Sequence, residues 1–510
     1  ESLFGAMAVH RTAVLLLALL AALALAEATV ETEISPLVQR ALARQATRAA
    51  DGAEQISFLV VFRDRADLSS IKALPHNPRD MHAKGRLVKA ALEEVAHRTQ
   101  AAVLRFLEET ELQVSHVRPF WLANFIKVDG DASLATALSA RFPHLIKRIE
   151  MNAEFEIEPP IAHDATMVAR DELVEWNIEW IGADRVWELG INGTGIVVAS
   201  ADSGVQWNHP SLVNSFRGKQ LDGTMDFSYS WWDAVHEEGS RCGASSPEPC
   251  DDLGHGTHTV GTMVGFDGIQ HVGMAPGAQW IACRNMNANH GTPALYIECM
   301  EYFMAPWGSD GEYPDITKRP HIINNSWGCG AEEGCSADTL EEAVNAVVAS
   351  GIVFAVAAGN SGPSCSTMLS PPSFYAECIT VAAQQHESDA IASFSSKGPV
   401  ENYDTTNKPE VAAPGQQVRS SVPVNNYQYY SGTSMATPAV SGTIALMMEA
   451  DPTVQFNPTV IKQLLVETAH EFDDLQCTGE GVVPNNAYGY GAIDAYAVVD
   501  ALLQSLDDRK

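Results

Sequence analysis

From residue 196 onward the chain alternates short apolar runs with Gly-rich turns and helical segments, and this rhythm constrains the fold more than any other feature of the sequence. Residues 196–201, 280–283, 321–325, 353–358 and 379–383 are strand candidates, each separated from the next by enough chain for a crossover helix. Such alternation predicts an α/β fold, a parallel sheet covered by helices on both faces. Reactive groups in such sheets collect at the carboxyl ends of the strands. The residues that directly follow these runs are therefore the place to look for chemistry.

The run 196–201 ends in Asp202-Ser203-Gly204. On its own an Asp there reads as a turn or a helix cap. Gly254-His255-Gly256 comes next, where flanking glycines permit close backbone approach and residues 257–264 continue as a helix with His255 near its first turn. Gly432-Thr433-Ser434 then leads into the apolar helix 439–448. That places a hydroxyl at a helix N-terminus, where free N–H groups can receive a developing oxyanion. Separately, the His reads as structural and the Ser as a cap. Together they answer one chemical need: a serine is too weak a nucleophile without a base, and the base needs a carboxylate to hold its tautomer.

The blocks around Asp202, His255 and Ser434, with the chain order Asp, His, Ser, resemble the three signature blocks of the subtilases, and the resemblance runs from about 176 to 498. Trp176-Asn-Ile178, Trp207-Asn-His-Pro210, Gly273-Met-Ala-Pro-Gly277 and Asn325-Ser-Trp-Gly328 are similar to the bacillopeptidase F-like branch. Ser203 stands where the family often has Thr. The resemblance implies a parallel-sheet subtilisin-like catalytic domain over 174–505 and a serine endopeptidase acting through an acyl-enzyme, with Asp202, His255 and Ser434 as triad and Asn360 as oxyanion donor. It also implies polypeptide substrates laid along the stretch from Asn324, with Ser326, Trp327 and Gly328 on one wall of the P1 pocket and Ala358, Gly359 and Asn360 on the other. No cofactor is required. Two other functions compete: a catalytically silent binding protein on the same fold, and a ligase that passes the same acyl-enzyme to an amine.

The first part of the chain reads differently. Glu1 to Ala6 precede the first Met and are set aside; from Met7, Arg11 and an apolar run to Ala26 form a signal peptide over 7–26, too short to span a membrane. Secretion without a membrane anchor is expected. Residues 56–62 read as a buried strand, 81–111 as an amphipathic helix, 125–128 as a strand, 133–141 as a helix and 145–149 as a strand. They make a small α+β module of βαββ type over 51–152, similar to the family's inhibitory (I9-like) propeptide, so the chain's own propeptide is an expected inhibitor. Residues 153–171 form a linker or activation region.

Charge is uneven. The formal net charge is −32, with −2 over residues 27–160 and −30 over 161–510. That balance disfavours nucleic acid as a partner. It also leads to the expectation that docking of the first part on the second depends on apolar burial and strand pairing and changes little with salt. A monomer is expected. Nine cysteines suit an oxidising compartment, and sequence neighbours suggest Cys242–Cys250, Cys283–Cys299, Cys329–Cys335 and Cys365–Cys378, with Cys477 left over; for Cys283 and Cys299 buried free thiols are the alternative. Neither C-x-x-C nor H-E-x-x-H occurs, so no metal site is assigned. Structural calcium is conceivable around Asp222, Asp226, Asp233, Asp251 and Asp252, but their spacing forms no defined ligand loop, and a solvated acidic face is the preferred reading.

Overall fold

The computed structural model describes residues 31–47, 54–156, 161–163, 173–237, 239, 241–331, 334–401, 403 and 407–508. The expected signal peptide lies outside them. The N-terminal module is a sheet of β1 (Glu33–Ile34), β2 (Gln55–Phe62), β3 (Val114–Phe120), β4 (Phe125–Asp131) and β5 (Ile146–Met151) in the order β1-β5-β2-β4-β3, antiparallel except for β1 on β5. The helices Pro36–Thr47, Ala83–Glu109 and Ser133–Arg141 belong to it. Because side chains alternate across a strand, β2 feeds two cores. Phe58, Val60 and Phe62 pack inside the module with Ile126, Val128 and Leu138, while Leu59 and Val61 join an apolar cluster shared with the rest of the chain. Burial on both faces is why this strand is apolar throughout. The long helix divides likewise: Val88 and Leu92 serve the shared cluster, Val103 and Leu107 the module's own core.

The second unit holds a seven-stranded parallel sheet. Two short pairs intervene: β6 (Phe155–Glu156) and β7 (Ile161–Ala162) come from the expected linker. The sheet strands are β8 (Val197–Asp202), β9 (Trp231–Asp233), β10 (Gln279–Arg284), then, after the hairpin β11 (Met286–Asn287) and β12 (His290–Gly291), β13 (Ile322–Asn325), β14 (Val353–Ala357), β15 (Ile379–Gln384) and β16 (Val411–Pro414). A second hairpin, β17 (Val418–Val422) and β18 (Asn426–Ser431), follows. The order β16-β15-β14-β13-β8-β10-β9 places the topological switch between β8 and β13, where a crevice opens at the strand ends. The helices His255–Val264 and Thr433–Ala450 cover one face, packing on Val198, Ala282, Ile322 and Val381. Pro293–Met304 and Glu341–Ala349 cover the other, packing on Ala199, Ile281 and Phe354, and this face also receives the N-terminal module.

That docking is not charge-neutral, contrary to the expectation from net charge. Arg65 pairs with Glu342, Lys72 with Glu377 at 2.7 Å, Arg118 with Glu298 at 3.1 Å, and Lys147 and Arg148 with Asp338 at 3.1 and 2.8 Å. In all five the cation is on the module and the anion on the sheet unit. Net charge concealed this because several of the module's acids pair within the module, as in Arg98–Asp64 and Lys127–Asp129, and Glu150, which does reach the junction, accepts from the neutral Ser336 and Thr339.

Three suggested disulfides form: Cys242–Cys250, Cys283–Cys299 and Cys329–Cys335. The fourth expectation is corrected. Cys365 bonds Cys477 across 112 residues, and Cys378 is the buried free thiol. Cys378 sits at the start of β15 inside the apolar cluster, where burial pushes its thiol up to about 12. Sequence proximity fails here because the loop carrying Cys365 folds outward to meet the one carrying Cys477.

Candidate active site

Asp202 is the last residue of β8, and His255 is the first of its helix. The turn between them admits no side chain at two positions: Gly254 has φ +96°, and a methyl on Gly256 would lie 2.1 Å from the Gly204 carbonyl oxygen. The backbones therefore close up, and His255 Nδ1 lies 2.7 Å from Asp202 Oδ1. Ser203 N–H donates to the same oxygen at 2.7 Å. Burial pulls the imidazole's pKa down, but the charge and hydrogen bond of Asp202, with help from Asp251, overcome it and hold His255 above its ordinary value.

Ser434 is the second residue of the helix Thr433–Ala450. Pro438 lacks an N–H, so it leaves the Ser434 carbonyl without its helical donor. Ser326, just past β13, takes that place: its Oγ donates to Ser434 O at 3.0 Å, and Ser434 Oγ donates in return to Ser326 O at 3.0 Å. Among the described residues, the serine's hydrogen bond thus goes to Ser326; attack requires its hydroxyl to turn to His255.

Asn360 follows β14. Its Oδ1 accepts from Thr433 N at 2.9 Å and Thr433 Oγ1 at 3.0 Å, which commits the oxygen and turns the NH₂ toward the serine. A methyl placed on Gly432 would lie 3.5 Å from Asn360 Nδ2 and 3.6 Å from Ser434 N. Both nitrogens thus flank Gly432, two residues before Ser434.

Ser326, Trp327 and Gly328 extend β13, while Ala358 and Gly359 extend its parallel neighbour β14. Trp327 Nε1–H donates to Ala201 O at 2.9 Å and its ring stacks on Tyr296 at 4.0 Å, which fixes this wall to β8. Opposite, Ala358 N–H bonds Val381 O at 3.0 Å, and Gly359, at φ +103°, packs against Ser396. Asn324, which opens the N-x-Ser sequon Asn324-Asn325-Ser326, is fully buried with its amide bonded to Ser326 and Ser441, which shuts that sequon to glycosylation.

Of the segment 153–171, residues 153–156 and 161–163 are described, and they include two strand pairings. Phe155–Glu156 pairs antiparallel with His290–Gly291, and Ile161–Ala162 pairs antiparallel with Tyr430 and Ser431, three residues before Ser434. His163 continues this, with N–H to Tyr429 O at 3.0 Å and Nε2 against Ser431 Oγ at 2.6 Å. This segment thus adds as a strand at two edges, one of them leading to Ser434.

The five acids raised as calcium candidates do not converge: Asp222 and Asp226 are exposed, as a solvated face requires, whereas the carboxyls of Asp233, Asp251 and Asp252 are buried. Asp222 and Asp226 close local turns at Thr224 and Ser228; Asp233 and Asp252 hold the buried Arg284, each at 2.8 Å; Asp251 binds the His255 turn. Among the described residues no group of three or more His, Cys, Asp or Glu is placed to hold a metal.

The subtilase family profile matches residues 193–491, more than half of the sequence. The chain belongs to the subtilase family. Its relatives include bacillopeptidase F of Bacillus subtilis, 31% identical over 93% of this chain, and an alkaline protease of Alkalihalobacillus alcalophilus, 27% identical over 78% of this chain and 87% of that protein. Subtilisin BL of Lederbergia lenta is 29% identical over 61% of this chain and 96% of that protein. This chain spans 33% of bacillopeptidase F. In this subtilase the sequence brought attention to Asp202, His255, Ser434 and Asn360; the structure pairs His255 with Asp202 and bonds Asn360 to Thr433, the residue before Ser434. The sequence did not reveal the roles of Thr433, which bonds the Asn360 amide oxygen, or of Ser203, because short polar residues beside glycine read as ordinary turns, nor that of Asp251, which read as one of a group of surface acids.

Proposed function

We propose that this subtilase is the zymogen of a secreted, monomeric serine endopeptidase that cleaves polypeptides and needs no cofactor. The observation that carries the reading is the buried His255–Asp202 pair at 2.7 Å, in a chain whose Asn360 is held by Thr433 next to Ser434. Ser434 Oγ attacks the scissile carbonyl as His255 takes its proton; Asp202 stabilises the imidazolium, and the carbonyl oxygen becomes an oxyanion between the two N–H donors. His255 returns the proton to the leaving amine, and water hydrolyses the acyl-enzyme by the same steps. Ser326, Trp327 and Gly328 face Ala358 and Gly359 across the P1 pocket in this reading, and substrate adds as a strand where Phe155–Glu156 lies.

The module over 51–152 is the propeptide, and 153–171 the activation segment. Because strand pairing holds the chain up to Glu156 and again from Ile161, whose partner Ser431 lies three residues before Ser434, we assign self-cleavage between these residues. The test is full-length Ser434→Ala expressed alone. It should keep its N-terminal module and hydrolyse nothing, while the wild type gives a new N-terminus between 157 and 161. A variant that still matures would assign the cut to another protease.

A further inference from the structure

Asp202 and His255 lie 53 residues apart in sequence on different elements, yet their contact must hold to a few tenths of an ångström. A second buried carboxylate lies between those elements. Asp251 Oδ1 accepts from Leu253 N at 3.0 Å, Gly254 N at 2.6 Å and Ser203 Oγ at 3.0 Å, and its Oδ2 accepts from Thr257 N at 2.9 Å and Thr257 Oγ1 at 2.5 Å. Its donors bracket His255 on both sides along the chain. Ser203 completes the link: its Oγ accepts from Gly256 N at 3.0 Å while its own N–H holds Asp202 Oδ1. The backbones are in contact as well, since Gly204 bridges Asp251 and a methyl on Gly204 would lie 1.8 Å from the Cys250 carbonyl oxygen.

We propose that Asp251 is a positioning residue of the catalytic centre, which with Ser203 clamps the His255 turn against Asp202 and places a second negative charge behind the imidazolium that forms when Ser434 gives up its proton. The inference rests on the serine-peptidase reading above. Five hydrogen-bond donors on a 4%-exposed carboxyl favour its ionised form against the cost of burial, which raises its pKa. The other groups around His255 do not substitute for this charge. Asp202 comes from β8; His258, on the same helix, turns Nε2 to the Val418 and Gln428 carbonyls, and burial lowers it to about 3. Tyr430 from β18 stacks on His258; Arg284 from β10 is engaged by Asp233 and Asp252; Arg241 binds the Asp251 main-chain carbonyl.

The experiment compares activated wild type, Asp251→Asn, Ser203→Ala and Ser203→Thr on a peptide anilide across pH. Labelling of the wild type by a fluorophosphonate is checked first, so failure of the functional reading shows separately as an unlabelled, inactive wild type. Asp251→Asn should lower kcat about 10²-fold with KM within about twofold, the scale of a small misplacement of reacting groups. It should also move the acid limb of kcat/KM down by about one pH unit, because a nearby charge is lost. Ser203→Ala should lower kcat about tenfold without moving the limb, and Ser203→Thr should restore it. Should Asp251→Asn fail to mature, the His255 ring titration is followed by NMR in full-length Ser434→Ala with and without Asp251→Asn, with the same downward shift expected. A folded Asp251→Asn with wild-type kcat, or one that loses rate while the acid limb and the His255 titration stay in place, overturns the proposal. Unchanged activity in Ser203→Ala overturns the clamp.

Discussion

The amide of Asn360 is oriented before any substrate arrives, because Thr433 occupies its oxygen with both N–H and hydroxyl. In the proposed mechanism its NH₂ then donates to the charge that develops in the transition state. Asn360→Ala should lower kcat by about 10²–10³ with little change in KM, the loss general to removing one oxyanion donor. A rise in KM alone would make Asn360 a ground-state binding residue. His255 gives a second prediction at this scale. Its pKa is held above the ordinary ~6.5, and the base works only when neutral, so kcat/KM should fall on acidification with a midpoint above about 6.5. A midpoint at or below pH 5 in steady-state rates would contradict that pairing. These residues were legible in the sequence because acyl transfer demands those residue types. Asp251 and Ser203 were not: the hydrogen bonds that give them meaning cross 48 residues of chain.

Among elements, what the sequence showed and what it hid follow one physical line. Central strands buried on both faces are apolar runs, and β8, β10, β13, β14 and β15 lie within one or two residues of where the runs predict them. The sheet edges β9 and β16 escaped notice: one has three residues, and the other ends in Pro414. In the N-terminal module β3 escaped too, since Pro119 argues against a strand unless it lies at an edge, where β3 is found. Cysteine pairing was legible where the partners are local and illegible for Cys365–Cys477, which depends on two loops meeting. The measurement is thiol counting in the denatured, unreduced protein. One thiol is expected, mapped by mass to Cys378 and unreactive in the native state; a free Cys477 would refute the pairing. Cys477→Ser should cost several kcal/mol of stability, of the order of 4–5 for a loop of this length, read from denaturant unfolding.

For the whole molecule, the net charges of the two units gave the wrong expectation because docking reads local charge. Apolar contact through Leu59, Val61 and Leu122 still spans the junction, so the five ion pairs modulate docking without being its sole support. Partly exposed pairs each contribute little. The segment 51–160 added to the mature enzyme should inhibit it, with affinity falling about three- to tenfold between 0.05 and 0.5 M salt as the pairs are screened. A flat salt profile would return the interface to apolar burial alone. Glu301 adds a pH dependence: its carboxyl accepts from Trp121 N and Leu122 N across the junction, and burial raises it to about 7. Undocking exposes it and returns it toward the ordinary carboxylate value, so its contribution to docking is full below that value and is lost as pH rises through about 7. Inhibition should therefore weaken from pH 6 to pH 8, and in Glu301→Gln this change should shrink. The central claim concerns one oxygen atom, Ser434 Oγ, and the most direct measurement is fluorophosphonate labelling of the activated protein followed by peptide mass mapping. The account predicts one adduct per molecule, on Ser434, with peptide hydrolysis lost in proportion to labelling and neither seen in Ser434→Ala; an adduct elsewhere, or hydrolysis that survives full modification of Ser434, would contradict it.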